Sequence, residues 1–348
     1  MFDISNQRTQ NTRTSDAIRI ELVSLSDLGE LRVIHIMERA LGTSRHTVVS
    51  FGDDISAVRV PGGKIAVLKT DMLVGSTDLP PGMTLRQAAW KAVVANVSDL
   101  AAKGVRPLAG LVALGLPRSL RRSDIQQLAR GLSEAAKAYK FPIVGGDTNE
   151  SRDLTISIAL FAITTAKKLI LRTEARPGDL VAVTGEFGSS SAALRAVLEH
   201  EERPGKLQRD LYRALYSPRA QLDLGLKLAA SRTITSSIDS SDGLAWSLHQ
   251  LPESSQLGIV VENVPVSYAA INFARRYRLR ADDLALYGGE EYELIVTVNP
   301  KKFQKAFRAA NGRLKQIGHV TTGFRGVRLK HGRTMTRVKK RGWEHFRD

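Results

Sequence analysis

The chain has 348 residues, 43% of them hydrophobic and 25% charged, which is the balance of a globular protein long enough for about two domains. It contains no cysteine, so disulfides, thiolate metal sites and a cysteine nucleophile are excluded. Lysine and arginine number 51 against 35 aspartates and glutamates, a net charge of +16 that attracts polyanions without choosing among nucleic acid, anionic lipid, nucleotides and phosphorylated metabolites.

Residues 1–17 are polar and rich in Asn, Thr, Arg and Ser, and read as a disordered lead-in. Helical periodicity follows over 28–41, and 65–69 is a short β-leaning apolar run that ends just before Asp71. After Pro80 and Pro81, Thr84 and Gln87 have the spacing of a capping box, and Gly104 stops the helix they open. A strand is expected over 108–114. Ser123 and Gln126 repeat the capping pattern and open a helix to about Lys140. A short strand over 142–144 runs into Gly145-Gly146-Asp147, and 154–163 is a long strand candidate. The charged stretch 166–178, with Pro177-Gly178, marks a boundary between an N-terminal domain over 18–166 and a C-terminal domain over 167–348.

Beyond that boundary come a strand over 180–184, a small-residue turn over 185–191 into a helix, a charged segment over 201–218 that reads as surface, and strands over 258–264 and 292–298. Alternating strands and helices predict an α/β or α+β layered fold. No stretch approaches the ~18 apolar residues that cross a membrane, and the polar start lacks an apolar signal core, so a cytoplasmic protein is expected.

The acidic residues fall in short groups beside Gly, Ser or Thr: Gly52-Asp53-Asp54, Thr70-Asp71, Ser98-Asp99, Gly145-Gly146-Asp147, Asp239-Ser240-Ser241-Asp242-Gly243 and Gly289-Glu290-Glu291. Each group taken singly also fits a turn, because an Asp side chain bonds nearby backbone. Asp71 at a strand end and Asp99 inside an apolar helix fit that reading poorly, since a carboxylate on a packed face needs a partner or a metal. Asn96 and Ala92 share the helix face of Asp99. Converging carboxylates demand a cation, and oxygen ligands select magnesium or calcium over zinc. The seven histidines show no ligand spacing, and His35 and His249 read as surface or packing residues. No nucleophile elbow, Walker loop or Rossmann glycine pattern is present. Gly185-Glu186-Phe187-Gly188 is either a tight turn or a phosphate-approaching turn at a helix start.

Taken in order, the stretches FGDDISAV (51–58), LKTDMLVGSTDLPPG (68–82), KAVVANVSDLAAKGVRP (91–107), IVGGDTN (143–149), RTEARPGD (172–179), SSIDSSDGL (236–244), YGGEEYEL (287–294) and RGWEHF (341–346) resemble the thiamine-monophosphate kinases. That family lies within the aminoimidazole ribonucleotide synthetase superfamily, and the resemblance runs from about residue 28 to the end. It implies a two-domain α/β fold whose N-terminal sheet forms a barrel across a homodimer, and a C-terminal α/β domain. The implied reaction transfers the γ-phosphoryl group of ATP to thiamine monophosphate, with several Mg2+ ions and no dedicated base. Carried over by position, Asp54, Thr70, Asp71, Asp99, Asp147, Asp239 and Asp242 would hold metal. Gly146, Asp147, Arg172 and Ser241 would contact the nucleotide, and Asp78, Glu290 and Trp343 the substrate.

Two positions depart from the family pattern. Lys69 stands where members often carry Ser, and Asp78 where some carry His. Relatives that rely on cysteine or selenocysteine do not fit a chain without thiols. Aminoimidazole ribonucleotide synthetase itself, or a basic nucleic-acid-binding homologue without catalysis, is the alternative reading. The conspicuous carboxylates argue against the second, since they would repel a polyanion.

Overall fold

The computed structural model describes residues 24–166, 169–200, 203, 205, 207–253, 256–343 and 346. The lead-in expected over 1–17 lies outside them. Two compact units divide the chain: residues 1–44 with 344–348, and residues 45–343. In the first, helix α1 (Leu25–Leu41) opens at Ser24, whose hydroxyl accepts from the Asp27 N–H, and it kinks at Gly29.

The larger unit begins with a six-stranded sheet. Its strands are β1 (Thr47–Val49), β2 (Ser56–Val60), β3 (Lys64–Val74), β4 (Ala109–Leu116), β5 (Ile143–Glu150) and β6 (Thr155–Thr164), in the order β1-β2-β3-β6-β4-β5. β4 and β5 are parallel, while the other pairs are antiparallel. Three helices accompany it: the single turn α2 (Gly75–Asp78), α3 (Leu85–Ala102) and α4 (Arg122–Tyr139). The sheet is open, and the described residues contain no closed barrel.

The strands change sheet between Thr164 and Leu180. The second sheet has seven strands: β7 (Leu180–Val183), β8 (Ile234–Asp239), β9 (Gly258–Val261), β10 (Leu294–Val298), β11 (Lys315–Thr321), β12 (Gly326–His331) and β13 (Thr334–Arg337). Their order is β13-β12-β9-β11-β7-β10-β8, and only β12 with β9 is parallel. The helices of this half are α5 (Ser189–Leu198), α6 (Arg209–Tyr216), α7 (Leu222–Ser231), α8 (Leu244–Glu253), α9 (Tyr268–Tyr277), α10 (Ala281–Tyr287) and α11 (Phe303–Ala309).

Helix α3 positions the site. The Thr84–Gln87 capping box forms as expected, and Gly104, at φ 65°, ends the run in a conformation that costs other residues ~1 kcal/mol or more. Between these ends Val93, Val97 and Leu100 are fully buried, each contributing roughly 1.5–3 kcal/mol by leaving water. The helix packs on β3 and β6 of one sheet and on β8 and α7 of the other, so a single core spans both sheets around it.

Several local expectations change. β3 runs on to Val74 instead of stopping near Lys69, because β6 pairs with it from Ile65 to Val74. Asp71 is therefore inside a strand. The cap of α4 is Arg121, whose N–H donates to Asp124 Oδ2 at 2.8 Å, two residues before the expected pair Ser123 and Gln126. Gly145-Gly146-Asp147 is strand, not turn. A Cβ on Gly146 would meet the Val112 carbonyl oxygen at 1.7 Å, so the close approach of β4 excludes any side chain there. The segment over 201–218 is not wholly surface, since Leu207, Leu211, Leu215 and Tyr216 are buried.

Candidate active site

Three of the expected metal ligands converge. One carboxylate oxygen each from Asp54, Asp99 and Asp239 lies within 4.8 Å of the others, and all three residues are buried. They arrive from different places in the chain: the loop before β2, helix α3, and the end of β8. The set is all oxygen and anionic, the donor chemistry of a hard divalent cation such as magnesium, so these residues fit the ion the sequence implies.

Cations surround the triangle. Lys103, fully buried, sets its Nζ 2.6 Å from Asp53 Oδ1, 2.6 Å from Asp54 Oδ2 and 2.9 Å from the Ser237 carbonyl, which matches its three donors with three acceptors. Arg172 binds Asp54, donates to the Gln250 side chain, and reaches the Gly52 carbonyl at 3.3 Å. Its main-chain N–H donates to Asp53 at 3.2 Å. Lys69 lies 2.9 Å from Asp71 Oδ1 and 2.7 Å from Asp99 Oδ2. Period-two alternation turns Lys69 and Asp71 to the same face of β3, opposite buried Leu160 and Ile158 of β6. Asn96 fastens that strand to α3, since its Oδ1 accepts from the Asp71 N–H at 2.9 Å and its Nδ2 donates to the Ala92 carbonyl at 3.0 Å.

The charges divide unevenly among the carboxyls. Burial works against ionisation of Asp54, yet Arg172 and Lys103 hold it down to about 2. Burial raises Asp99 well above the usual carboxylate range, and the negative charges of Asp239, Asp71 and Asp54 add to this against the pull of Lys69. Burial and the charge on Asp54 push Asp239 up to about 6, opposed by the Ser98 hydroxyl that donates to it at 2.6 Å. For Lys69 burial disfavours the charge, but Asp99 and Asp71 outweigh it and hold the ammonium charged. Asp99 and Asp239 thus hold their protons more tightly than a free carboxyl, first because they are withdrawn from water and then because neighbouring carboxylates repel a further negative charge.

Other expected site residues lie elsewhere. Thr70 is exposed on the face of β3 opposite Asp71, and Asp147 is exposed on the edge strand β5, registered through Ala113 and Ser157 to Met72 on that same outward face. The structure therefore does not bring Thr70 or Asp147 in with the triangle. Ser241 and Asp242 are half-buried on the loop after β8, where the Ser241 carbonyl accepts from the Glu290 N–H at 2.6 Å and the Asp242 carbonyl from the Trp343 N–H at 3.0 Å. Glu290, in the left-handed region at φ 63°, is ion-paired with the buried Lys91. Asp78 turns its carboxylate back to accept from the Val74 N–H at 2.7 Å, and its carbonyl accepts from Lys91 at 2.8 Å. The Trp343 side is 53% exposed, so its ring does not anchor a core.

One functional alternative is overturned. The N–H groups of Gly188 and Ser190, which a phosphate would need at the start of α5, donate instead to Glu291 at 2.6 and 3.1 Å. Gly185–Gly188 is therefore a turn capped from within. His249 packs as expected, with Nε2 3.0 Å from the Val338 carbonyl, and His35 is exposed on α1. Lys103 belongs to the cluster and was not singled out from sequence, while Asp53 and Ser98, named there within their acidic groups, were given no role in it. A lysine four residues after Asp99, on the same apolar helix, was the signal that pointed to it.

Residues 52–166 match the family model of the AIR synthase related protein N-terminal domain, and residues 176–330 that of the C-terminal domain. The thiamine-monophosphate kinase of Nitrosopumilus maritimus is 35% identical over 326 residues, covering 93% of this chain and 100% of that one. The chain belongs to the thiamine-monophosphate kinase family. The family member of Pyrococcus abyssi is 36% identical over 299 residues, 85% of this chain and 91% of that one. Among solved structures, AaThiL complexed with AMPPCP and TMP superposes with a TM-score of 0.81 at 28% identity, covering 93% of this chain and 99% of that chain. The two-domain α/β fold of the family, with its mixed sheets, is the fold described above.

Proposed function

We propose that the chain transfers the γ-phosphoryl group of ATP to thiamine monophosphate, giving thiamine diphosphate and ADP. The observation that carries this reading is the buried convergence of Asp54, Asp99 and Asp239 in a member of this kinase family. AaThiL, with AMPPCP and TMP bound, supplies the substrate pair. An oxygen of the substrate phosphate forms a bond to the γ-phosphorus as the bond to the β,γ-bridging oxygen breaks, and ADP carries away the electron pair. A phosphate oxygen is already anionic near neutral pH, so no protein base is required.

Asp54, Asp99 and Asp239 would hold magnesium in this reading, with Asp71 beside Asp99 through Lys69 and Asp242 on the loop after β8, whereas the outward face of Thr70 and Asp147 does not suit the metal role expected of them. Bound magnesium supplies neutralisation of the phosphate charge. Arg172 suits nucleotide contact because a guanidinium grips phosphate oxygens through two parallel N–H bonds, and Ser241, on the loop after β8 that carries Asp239, would line the nucleotide with it. Glu290 and Trp343 suit the cationic rings of the substrate, by charge and by cation–π contact, while Asp78 acts on the substrate only through its hold on Lys91. A homodimer fits the outward face of the first sheet, where Leu68, Met72, Leu111, Val144 and Ile163 are exposed together. A second copy there would cover Thr70 and Asp147. Consumption of ATP agrees with the cytoplasmic location expected from the sequence.

The test is formation of ADP and thiamine diphosphate from ATP and thiamine monophosphate, with and without magnesium, for the natural chain and Asp239→Asn. Magnesium-dependent product that falls at least ~100-fold in the variant is expected, because loss of one metal-bearing charge removes about 2.7 kcal/mol or more of transition-state stabilisation. ATP binding without thiamine diphosphate would overturn the substrate assignment.

A further inference from the structure

Lys69 places an ammonium between two carboxylates that a divalent cation would otherwise bridge. Its Nζ is 2.9 Å from Asp71 Oδ1 and 2.7 Å from Asp99 Oδ2, and the side chain is only 14% exposed. A metal bridging the same two oxygens would stand at roughly 2.0–2.6 Å from each, in the space that Nζ fills. The side chain is held there from below, since it lies on the inward face of β3 opposite buried Leu160, and Asn96 fixes the neighbouring backbone of Asp71.

The charge balance agrees. Five carboxylates are joined directly in this cluster: Asp53, Asp54, Asp71, Asp99 and Asp239. Three cations, Lys69, Lys103 and Arg172, are in contact with them. Two negative charges remain, the charge that one divalent ion neutralises. The remaining negative charge is centred on Asp239, which is ion-paired with none of these three cations and faces Asp54 and Asp99. A carboxylate offers two oxygens, so Asp99 can serve Lys69 through Oδ2 and still face the triangle with the other.

From this geometry we infer that Lys69 is a tethered counter-ion standing in for a divalent cation between Asp71 and Asp99, so that the nucleotide-free chain holds one divalent ion, at Asp54, Asp99 and Asp239. The inference rests on the reading of this cluster as the magnesium site of the kinase. Asp71 then acts as a positioning residue for Lys69 and not as a ligand. The nucleotide brings its remaining counter-ions with it.

The experiment counts Mn2+ bound tightly per chain, from the loss of the free-ion paramagnetic resonance signal on titrating the full-length protein without nucleotide. One ion is expected for the natural chain, two for Lys69→Ser, and one for Asp71→Asn. Equal counts in the natural chain and Lys69→Ser, whatever their value, overturn the inference, as does a fall in the count on Asp71→Asn. Should Lys69→Ser fail to fold by circular dichroism, Lys69→Gln, which also removes the ammonium, is counted in its place with the same two expected outcomes. Thiamine diphosphate formation by the natural chain is measured separately. Product with equal counts removes the inference and keeps the kinase reading, while the expected counts without product do the reverse.

Discussion

Two groups of carboxyls, one buried and one half-buried, lie in the larger unit and are built on opposite plans. Asp54, Asp99 and Asp239 face one another and are held by Lys69, Lys103 and Arg172. Glu291 and Glu293 are held by neutral donors: the N–H groups of Gly188 and Ser190 for the first, and the Thr184 hydroxyl and Gln221 amide for the second, at 2.5 and 2.8 Å. Burial raises both glutamates above the usual range, Glu291 to about 8. The aspartates instead carry cations and still leave negative charge over. Burial alone does not mark a site. Charge concentrated beyond what its partners neutralise marks one, and the glutamates serve as internal fastenings between β10, α5 and β7.

Removing a cation from the first group should have the largest effect. Lys103→Met leaves Asp53 and Asp54 buried with Arg172 as their one remaining cation, and breaking a buried pair from one side costs about 3–5 kcal/mol. Urea unfolding of the magnesium-free protein should report that loss, with saturating magnesium restoring part of it by binding only the folded state. A variant as stable as the natural chain would mean that water or rearrangement satisfies Asp53 and Asp54, and the contrast between the two groups would fail.

The plan was partly legible in the residues. Asp71 and Asp99 announced themselves because a carboxylate in an apolar strand or helix has few structural uses, and the capping box at Thr84 and Gln87 fixed where α3 begins. The partners of the carboxylates were harder to read. Lys69 stood out only as a departure from a family pattern, and its place between two aspartates comes from pairing of β3 with β6 that no local pattern encodes. Thr70 and Asp71 are neighbours in sequence and opposite in space for the same reason. β11, β12 and β13 went unread because Lys315, Gln316, Arg328 and Lys330 break the apolar runs on strands with exposed positions. At α4 the helix opens at Arg121, so Asp124, three residues on, takes the role expected of Gln126, which would serve only a cap at Ser123.

Titration separates the two groups next. The folded pKa of Glu291, about 8, lies above the ordinary 4.5, so the folded state binds the extra proton between these values. Its contribution is complete below about 4.5 and is lost as pH rises through 8, at about 1.4 kcal/mol per pH unit within that window. Glu291→Gln keeps a carbonyl oxygen for Gly188 and Ser190 and cannot ionise. The difference in unfolding free energy between this variant and the natural chain should therefore grow in the variant's favour from pH 5 to pH 8. A constant difference would place a charged Glu291 in the folded state and remove the contrast.

The finest test compares two hydroxyls with the same local job. Ser98 donates to Asp239 at 2.6 Å, and Thr184 donates to Glu293 at 2.5 Å. Ser98→Ala and Thr184→Val each delete one hydrogen bond to a carboxyl and should each cost about 1 kcal/mol in chemical denaturation. They part in what they do to metal. Without Ser98, Asp239 loses the donor that favours its ionised form, so its pKa rises further and protons compete harder with a divalent ion. Ser98→Ala should weaken Mn2+ binding several-fold at pH 6 and less at pH 8, where the carboxyl ionises regardless. Thr184→Val should leave Mn2+ affinity unchanged at both. Equal metal affinity in the two variants at pH 6 would show that the Ser98 hydroxyl does no more for Asp239 than Thr184 does for Glu293, and that the ion is held without Asp239.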